Sequence, residues 1–166
     1  MYHCMSNLSD IADEGYSVAA ARLLAGGNRK FPHRLIFNRT DVIEYRMQTA
    51  EHMSISGVQD KVSLKLVRGK LSPTDRDGEY ILKPIPSADI PRLKEDVPAN
   101  EHLTMQIASQ LFGIPTAANA AIGFANGELA YITRRFDRRG DMKLGQEDFC
   151  QLSNRTEETA GRNYKY

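Results

Sequence analysis

Two apolar runs, 117–124 and 128–134, flank the pair Asn126-Gly127. Asn-Gly tolerates the positive φ values that a tight turn between antiparallel strands demands, so the pair predicts a β-hairpin. The hairpin commits this chain to an antiparallel sheet, and the search is then for its other strands. Residues 61–68 supply one: Val62, Leu64 and Leu66 alternate with Ser63 and Lys65, the period of a half-buried strand. Arg76-Asp77-Gly78 is a turn signal, and 79–83 (EYILK) reads as the next strand. Pro84 lacks an N–H and holds Lys83 extended, which ends the pairing there.

Prolines 84, 86, 91 and 98 mark a loop, and 99–112 reads as a helix stopped by Gly113. Upstream, 6–16 is polar and loop-like. Ser17 is placed to cap a short helix over 18–25 that Gly26-Gly27 ends. Residues 34–38 look like a short strand, and 41–50 is ambiguous but compatible with a helix. After Phe136 come a charged segment (DRRGDMK) and a short element (QEDFCQL), then a polar terminus expected to be loose. The order strand, strand, helix, strand, strand predicts an α+β fold, a mostly antiparallel sheet with one main covering helix.

Composition narrows the function classes. With 41% hydrophobic and 26% charged residues in 166, collagen, coiled coil and wholesale disorder are excluded. Lys+Arg 22 against Asp+Glu 21 leaves a formal +1, which does not indicate general polyelectrolyte binding of nucleic acid. Cys4 and Cys150 allow one bridge but no disulfide framework, and a reducing compartment is the plainer expectation. The start carries no signal-like apolar stretch and no run is long enough to span a bilayer, so a soluble, cytoplasmic protein without membrane contact is expected. His3, His33, His52 and His102 lack paired ligand spacing, so no metal site is expected, and Cys150 reads as core.

Four pieces carry candidate chemistry. On the helix, Ala99, Leu103, Ile107, Ala108, Leu111 and Phe112 share one arc, expected to be the core face; His102, Gln106, Ser109 and Gln110 share the opposite one. Glu101 falls on the rim of the apolar arc, where a carboxylate needs a cationic partner; favourable placement near the helix start is the simpler alternative. Lys83, at a strand end one loop earlier, is the natural partner, though a solvent-facing lysine is the simpler account taken alone. A strand lysine paired with a glutamate on the following helix is how kinases hold the α- and β-phosphates of ATP. The third piece, 54–61 (SISGVQDK), is small and contains one glycine, which lets backbone N–H groups approach phosphate; it is not a Walker A loop, and an ordinary turn explains it equally. The fourth, 130–138 (AYITRRFDR), runs from a strand into a charged link with one aromatic, Phe136, expected to be buried. In a kinase this is the hinge beside adenine; a solvated, salt-bridged loop is the simpler reading.

The succession of SISGVQDK, YILKP, NEHLTMQIASQLFGIP, ITRRFDR and GQEDFCQL resembles that of the bacterial HipA toxin kinases over roughly 30–155. The early GYS at 15–17 and MSISG at 53–57 resemble the shorter HipT type. The resemblance implies a kinase-like N-terminal lobe: 1–50 its N-terminal segment, 51–137 the sheet, loop, lysine and helix, and 138–166 the hinge and start of a C-terminal lobe. It implies ATP and Mg²⁺ as cofactors. Ser56, Gly57, Val58, Gln59, Asp60 and Lys61 would lie over the phosphates, Lys83 would contact them with Glu101 supporting it, and Arg134, Arg135 and Phe136 would form the hinge beside adenine. Ser54 and Ser56 would be autophosphorylation sites, where added charge disfavours ATP. The family phosphorylates serine or threonine on proteins, aminoacyl-tRNA synthetases among them, and works with antitoxin partners.

One departure matters. The family's Asn-x-Asp-x-His-x-x-Asn catalytic string does not occur in this sequence, and no catalytic base is assigned in it. A missing lobe or a second polypeptide is expected to supply the base and the Mg²⁺ ligands. Two rivals accompany the kinase reading: a non-catalytic split or decayed module that binds a partner lobe or antitoxin, and a small nucleic-acid-binding regulator using 134–143.

Overall fold

The computed structural model describes residues 1–49, 60–88, 92–139, 142–147 and 149–153. These fall into two compact units, Met1–Arg135 and Phe136–Tyr166. The first unit runs β1 (Tyr2–His3), β2 (Asp10–Ile11), α1 (Val18–Ala25), α2 (Arg39–Thr49), β3 (Val62–Val67), β4 (Lys70–Pro73), β5 (Tyr80–Lys83), a 3₁₀ turn (Lys94–Asp96), α3 (Val97–Gln110), β6 (Asn119–Gly123) and β7 (Leu129–Arg134). The second holds the small hairpin β8 (Arg138–Arg139) and β9 (Met142–Lys143), and a single helical turn, α4 (Phe149–Leu152).

Five strands form one antiparallel sheet in the order β4-β3-β5-β7-β6. Its pleat separates two chemistries. Val62, Leu64, Leu66, Leu71, Tyr80, Leu82, Ala120, Ile122, Ala130 and Ile132 are buried on one face, packed with Leu24, Phe31, Leu35 and Phe124. That face is the core. The Tyr80 hydroxyl donates to the Leu24 carbonyl at 2.8 Å and so ties α1 to β5. Ser17 caps α1 by accepting from Ala20 N, and Gly26 ends it at φ 69°, as their residue types predict.

The segment before β3 closes the outer edge of β6. Ala121 N donates to Met5 O, Ser6 Oγ to Asn119 O, Tyr16 Oη to Ala121 O, and Leu35 N to Gly123 O. An uncovered strand edge would leave these groups seeking partners. The expected strand at 34–38 reduces to one bridge, Arg34 with Gly123, because the run needs only a single bond to seal the strand end. β4 is a strand the sequence pattern missed: only Leu71 of its four residues is buried, so it carries no alternation to read.

The largest correction concerns α3. Its apolar arc was expected to face the core; instead Leu103, Ile107, Leu111 and Phe112 are 48%, 39%, 77% and 71% exposed, while His102 and Gln106 are buried. The sheet explains the inversion. Its apolar face is already filled by α1 and the loops around Phe31 and Leu35, so α3 lies over β6 and β7 on the other face. That face presents Asn119, Tyr131 and Thr133, and polar helix residues are the ones that satisfy it.

Candidate functional site

Lys83 is the last residue of β5 and shares the polar face with Ile81, since Tyr80 and Leu82 point into the core. In register it lies beside Tyr131, and its ammonium sits 5.6 Å from that ring's centroid, within cation–π range. The carboxylate that meets it comes from the first half of α3, whose opening turn holds Pro98, where the missing N–H costs nothing. Glu101 Oε1 lies 2.5 Å from Lys83 Nζ, with the two side chains 25% and 19% exposed. The pair is shielded yet reachable from solvent. Burial pushes the Tyr131 phenol up to about 12; a hydrogen bond with Thr133 lowers it and the Glu101 carboxylate raises it. Tyr131 is therefore a neutral wall beside the ion pair at neutral pH.

What aims Glu101 is the buried polar underside of α3. Asn119 Nδ2 donates to Ala117 O at 2.8 Å, which fixes its amide and leaves Oδ1 as acceptor. Oδ1 receives Gln106 Nε2 at 2.9 Å and the Nδ1 side of His102 at 3.0 Å. Gln110 Nε2 extends the chain to Gln106 Oε1 and to Asn7 O, both at 2.9 Å. His102 thus carries its proton on Nδ1, and its buried Nε2 has no hydrogen-bond partner among the described residues. Burial lowers the His102 pKa, against the opposing effect of the Asn119 bond. Helical spacing puts His102, Gln106 and Gln110 on one arc but does not say that it is the covered side of the helix. The one legible hint is Asn119 itself, a lone carboxamide in the otherwise small and apolar run 117–124.

The remaining expected site residues are distributed as follows. Ser54, Ser56, Gly57, Val58 and Gln59 lie outside the described residues. Asp60 receives a 2.6 Å hydrogen bond from Ser87 N, which fastens the start of β3 to the loop after β5, and Lys61 is half-buried just before β3. Arg134 ends β7 on the core face, beside Tyr80 in register, with its guanidinium against Gly26; Lys83 is on the opposite face. Arg135 N donates to Glu79 O. Phe136, expected to be buried, is 73% exposed; the ring contacts among the described core residues, Tyr16–Phe31–Tyr80 and Phe37–Phe124, form without it. Cys4 is buried with a free thiol. Among the described residues no group of three His, Cys, Asp or Glu is placed to hold a metal ion, and no helix is long and apolar enough to cross a membrane.

A five-stranded antiparallel sheet with a helix between its third and fourth strands, and a lysine of the third strand paired to a glutamate of that helix, defines the N-terminal lobe of a kinase-like fold. The comparisons agree. The family model described as the HipA-like C-terminal domain matches residues 53–166. A protein of Haemophilus influenzae named "Putative kinase" is 35% identical over 133 residues, which cover 78% of this chain and 37% of that relative. The chain belongs to the HipA-like family and is a kinase-like protein. It spans well under half the length of the curated relative it matches.

Proposed function

We propose that this chain is the nucleotide-gripping lobe of a HipA/HipT-like serine/threonine protein kinase of a toxin–antitoxin system. The Lys83–Glu101 pair carries the reading. A lysine held by a carboxylate at the end of a strand, partly shielded on the face opposite the core, presents an oriented positive charge to a polyphosphate. The donor set therefore fits the phosphates of ATP. Ile81 and Thr133, half-buried on the same face, offer a mixed wall for the rest of the nucleotide.

In the reaction the γ-phosphorus would bond to a serine or threonine oxygen while its bond to the β–γ bridging oxygen breaks. ADP leaves and the hydroxyl proton passes to a base. This chain's part is to bind and orient. Lys83 neutralises α- and β-phosphate charge, and Glu101 keeps the ammonium from straying. The base and the Mg²⁺ ligands come from polypeptide other than the described residues. Ser54 and Ser56 are the proposed autophosphorylation sites, and an aminoacyl-tRNA synthetase or similar protein is the proposed substrate, so that translation slows. The rival reading is a non-catalytic module that binds a partner lobe or antitoxin.

Nucleotide titration separates the two. Isothermal titration of the chain with ATP is expected to show saturable binding that Lys83→Met weakens at least tenfold, about 1.4 kcal/mol. Unchanged affinity in Lys83→Met, or no binding to the folded wild-type chain, would leave the module reading in possession.

A further inference from the structure

Glu101 alone is an ambivalent holder for Lys83. A carboxylate fixes an ammonium, but it also competes with phosphate for the same N–H groups. The sheet brings a second group to the pair. Tyr131 lies directly opposite Lys83 in the register of β5 and β7, and the Lys83 ammonium stands over its ring, 5.6 Å from the centroid. Tyr131 is 3% exposed, so its surroundings fix the ring. Its cross-strand neighbour on the other side is Ala121 of β6, a single methyl group that brings no charge to it. Its hydroxyl is engaged by Thr133, two residues along the same face of β7. The aromatic face is left to the lysine.

An aromatic face attracts a cation through its quadrupole and makes no claim on a particular N–H direction. Burial keeps the phenol protonated, so the ring adds no anion that would repel a polyphosphate. We propose that Tyr131 is a positioning residue for Lys83: its ring holds the ammonium from the sheet while Glu101 holds it from the helix, which leaves N–H groups aimed at the phosphates of ATP. The three groups belong to β5, α3 and β7 of the first unit, so the contact is complete within it. The inference rests on the nucleotide reading of Lys83 and Glu101 and deepens it. Ordering one long side chain before binding is worth up to about tenfold in affinity. The alternative role for Tyr131 is to fill space beneath α3, which packs on β7.

The test changes the electrons of the ring and keeps its shape. Tyr131→Phe retains the aromatic face and removes the hydroxyl. Fluorinated phenylalanines, placed at position 131 by amber-codon suppression, then withdraw charge from that face in steps, from one fluorine to three, at almost constant size. Two readouts are taken on the full chain. One is ATP affinity by isothermal titration. The other, without nucleotide, is the rate at which acetic anhydride acetylates Lys83, resolved by peptide mass spectrometry against the exposed Lys65. Tyr131→Phe is expected to match wild type within about twofold in both. Across the fluorinated series Lys83 should acetylate faster by about threefold or more, with Lys65 unchanged, and ATP affinity should fall stepwise by about threefold or more. Thermal melts should stay with that of Tyr131→Phe. A space-filling ring predicts no trend in either readout. A flat acetylation series overturns the contact, and a graded one with flat ATP affinity overturns its role in binding. Graded acetylation in a chain whose wild type binds no ATP overturns the nucleotide reading and leaves the contact standing, so the two failures are told apart.

Discussion

Removing the carboxamide of Asn119 tests whether α3 is fastened by hydrogen bonds rather than by packing. In Asn119→Ala, the Nδ1–H of His102 and the Nε2–H of Gln106 lose their shared acceptor, and Ala117 O loses a donor. A buried donor left unmade costs about 1–3 kcal/mol. His102 is enclosed and should bear that cost in full; Gln106 borders a cleft of about 500 Å³ and can recruit water, which reduces its share. A total of about 3 kcal/mol is expected. With a urea m-value of about 1–3 kcal/mol/M, the unfolding midpoint should fall by roughly 1–3 M. The double variant His102→Leu/Asn119→Leu removes both partners of the enclosed bond. It should be less destabilised than the sum of its single variants, by about 1 kcal/mol or more in a double-mutant cycle. A midpoint shift under about 0.3 M in Asn119→Ala, or strict additivity in the cycle, would refute the claim that this amide holds the helix.

The same histidine predicts a pH response. Its folded pKa lies below the ordinary 6.5, so as pH falls through 6.5 the unfolded chain takes up a proton that the folded one refuses. The stability it contributes is complete above the unfolded pKa and declines as pH drops toward the folded value; His102→Gln should flatten the loss between pH 7 and 5 in urea titrations, and an unchanged slope would contradict the burial argument. At Gly78, an added Cβ would overlap Ser63 Oγ and lie 3.0 Å from Ser63 Cβ. Gly78→Ala should cost about 1–3 kcal/mol, and Ser63→Ala in the same chain should restore at least half of it in thermal melts; no rescue would place the strain elsewhere.

The parts of this fold that were legible are those where one residue type answers to one physical demand. Asn126-Gly127 fixed its hairpin, Ser17 and Gly26 bounded α1, and the alternation of Val62, Leu64 and Leu66 set the faces of β3. Lys83 and Glu101 were paired from the sequence because a carboxylate on an apolar rim needs a cation. Their meeting was legible although the reasoning behind it was half wrong: the rim is real, but the apolar arc points outward. Periodicity shows that a helix has two faces and says nothing of which one the protein covers. That depends on what the sheet presents, and the sheet's polar face was decided by residues far away in the chain, Asn119 and Tyr131 among them. β4 escaped because it has no repeating pattern along the sequence, and the polar network because the repeat of His102, Gln106 and Gln110 does not say that theirs is the covered face.

The family match starts at residue 53, yet the folded unit does not. Met5, Ser6, Tyr16 and Leu35 give β6 its outermost hydrogen bonds. A protein trimmed to the homologous stretch would keep every residue of the ion pair and still present bare amides and carbonyls along its last strand. Such a template invites strand addition by neighbouring molecules. Expression limits drawn from family boundaries would therefore turn a sheet with a covered edge into an aggregating one, and the first forty residues belong in any fragment made to study nucleotide binding.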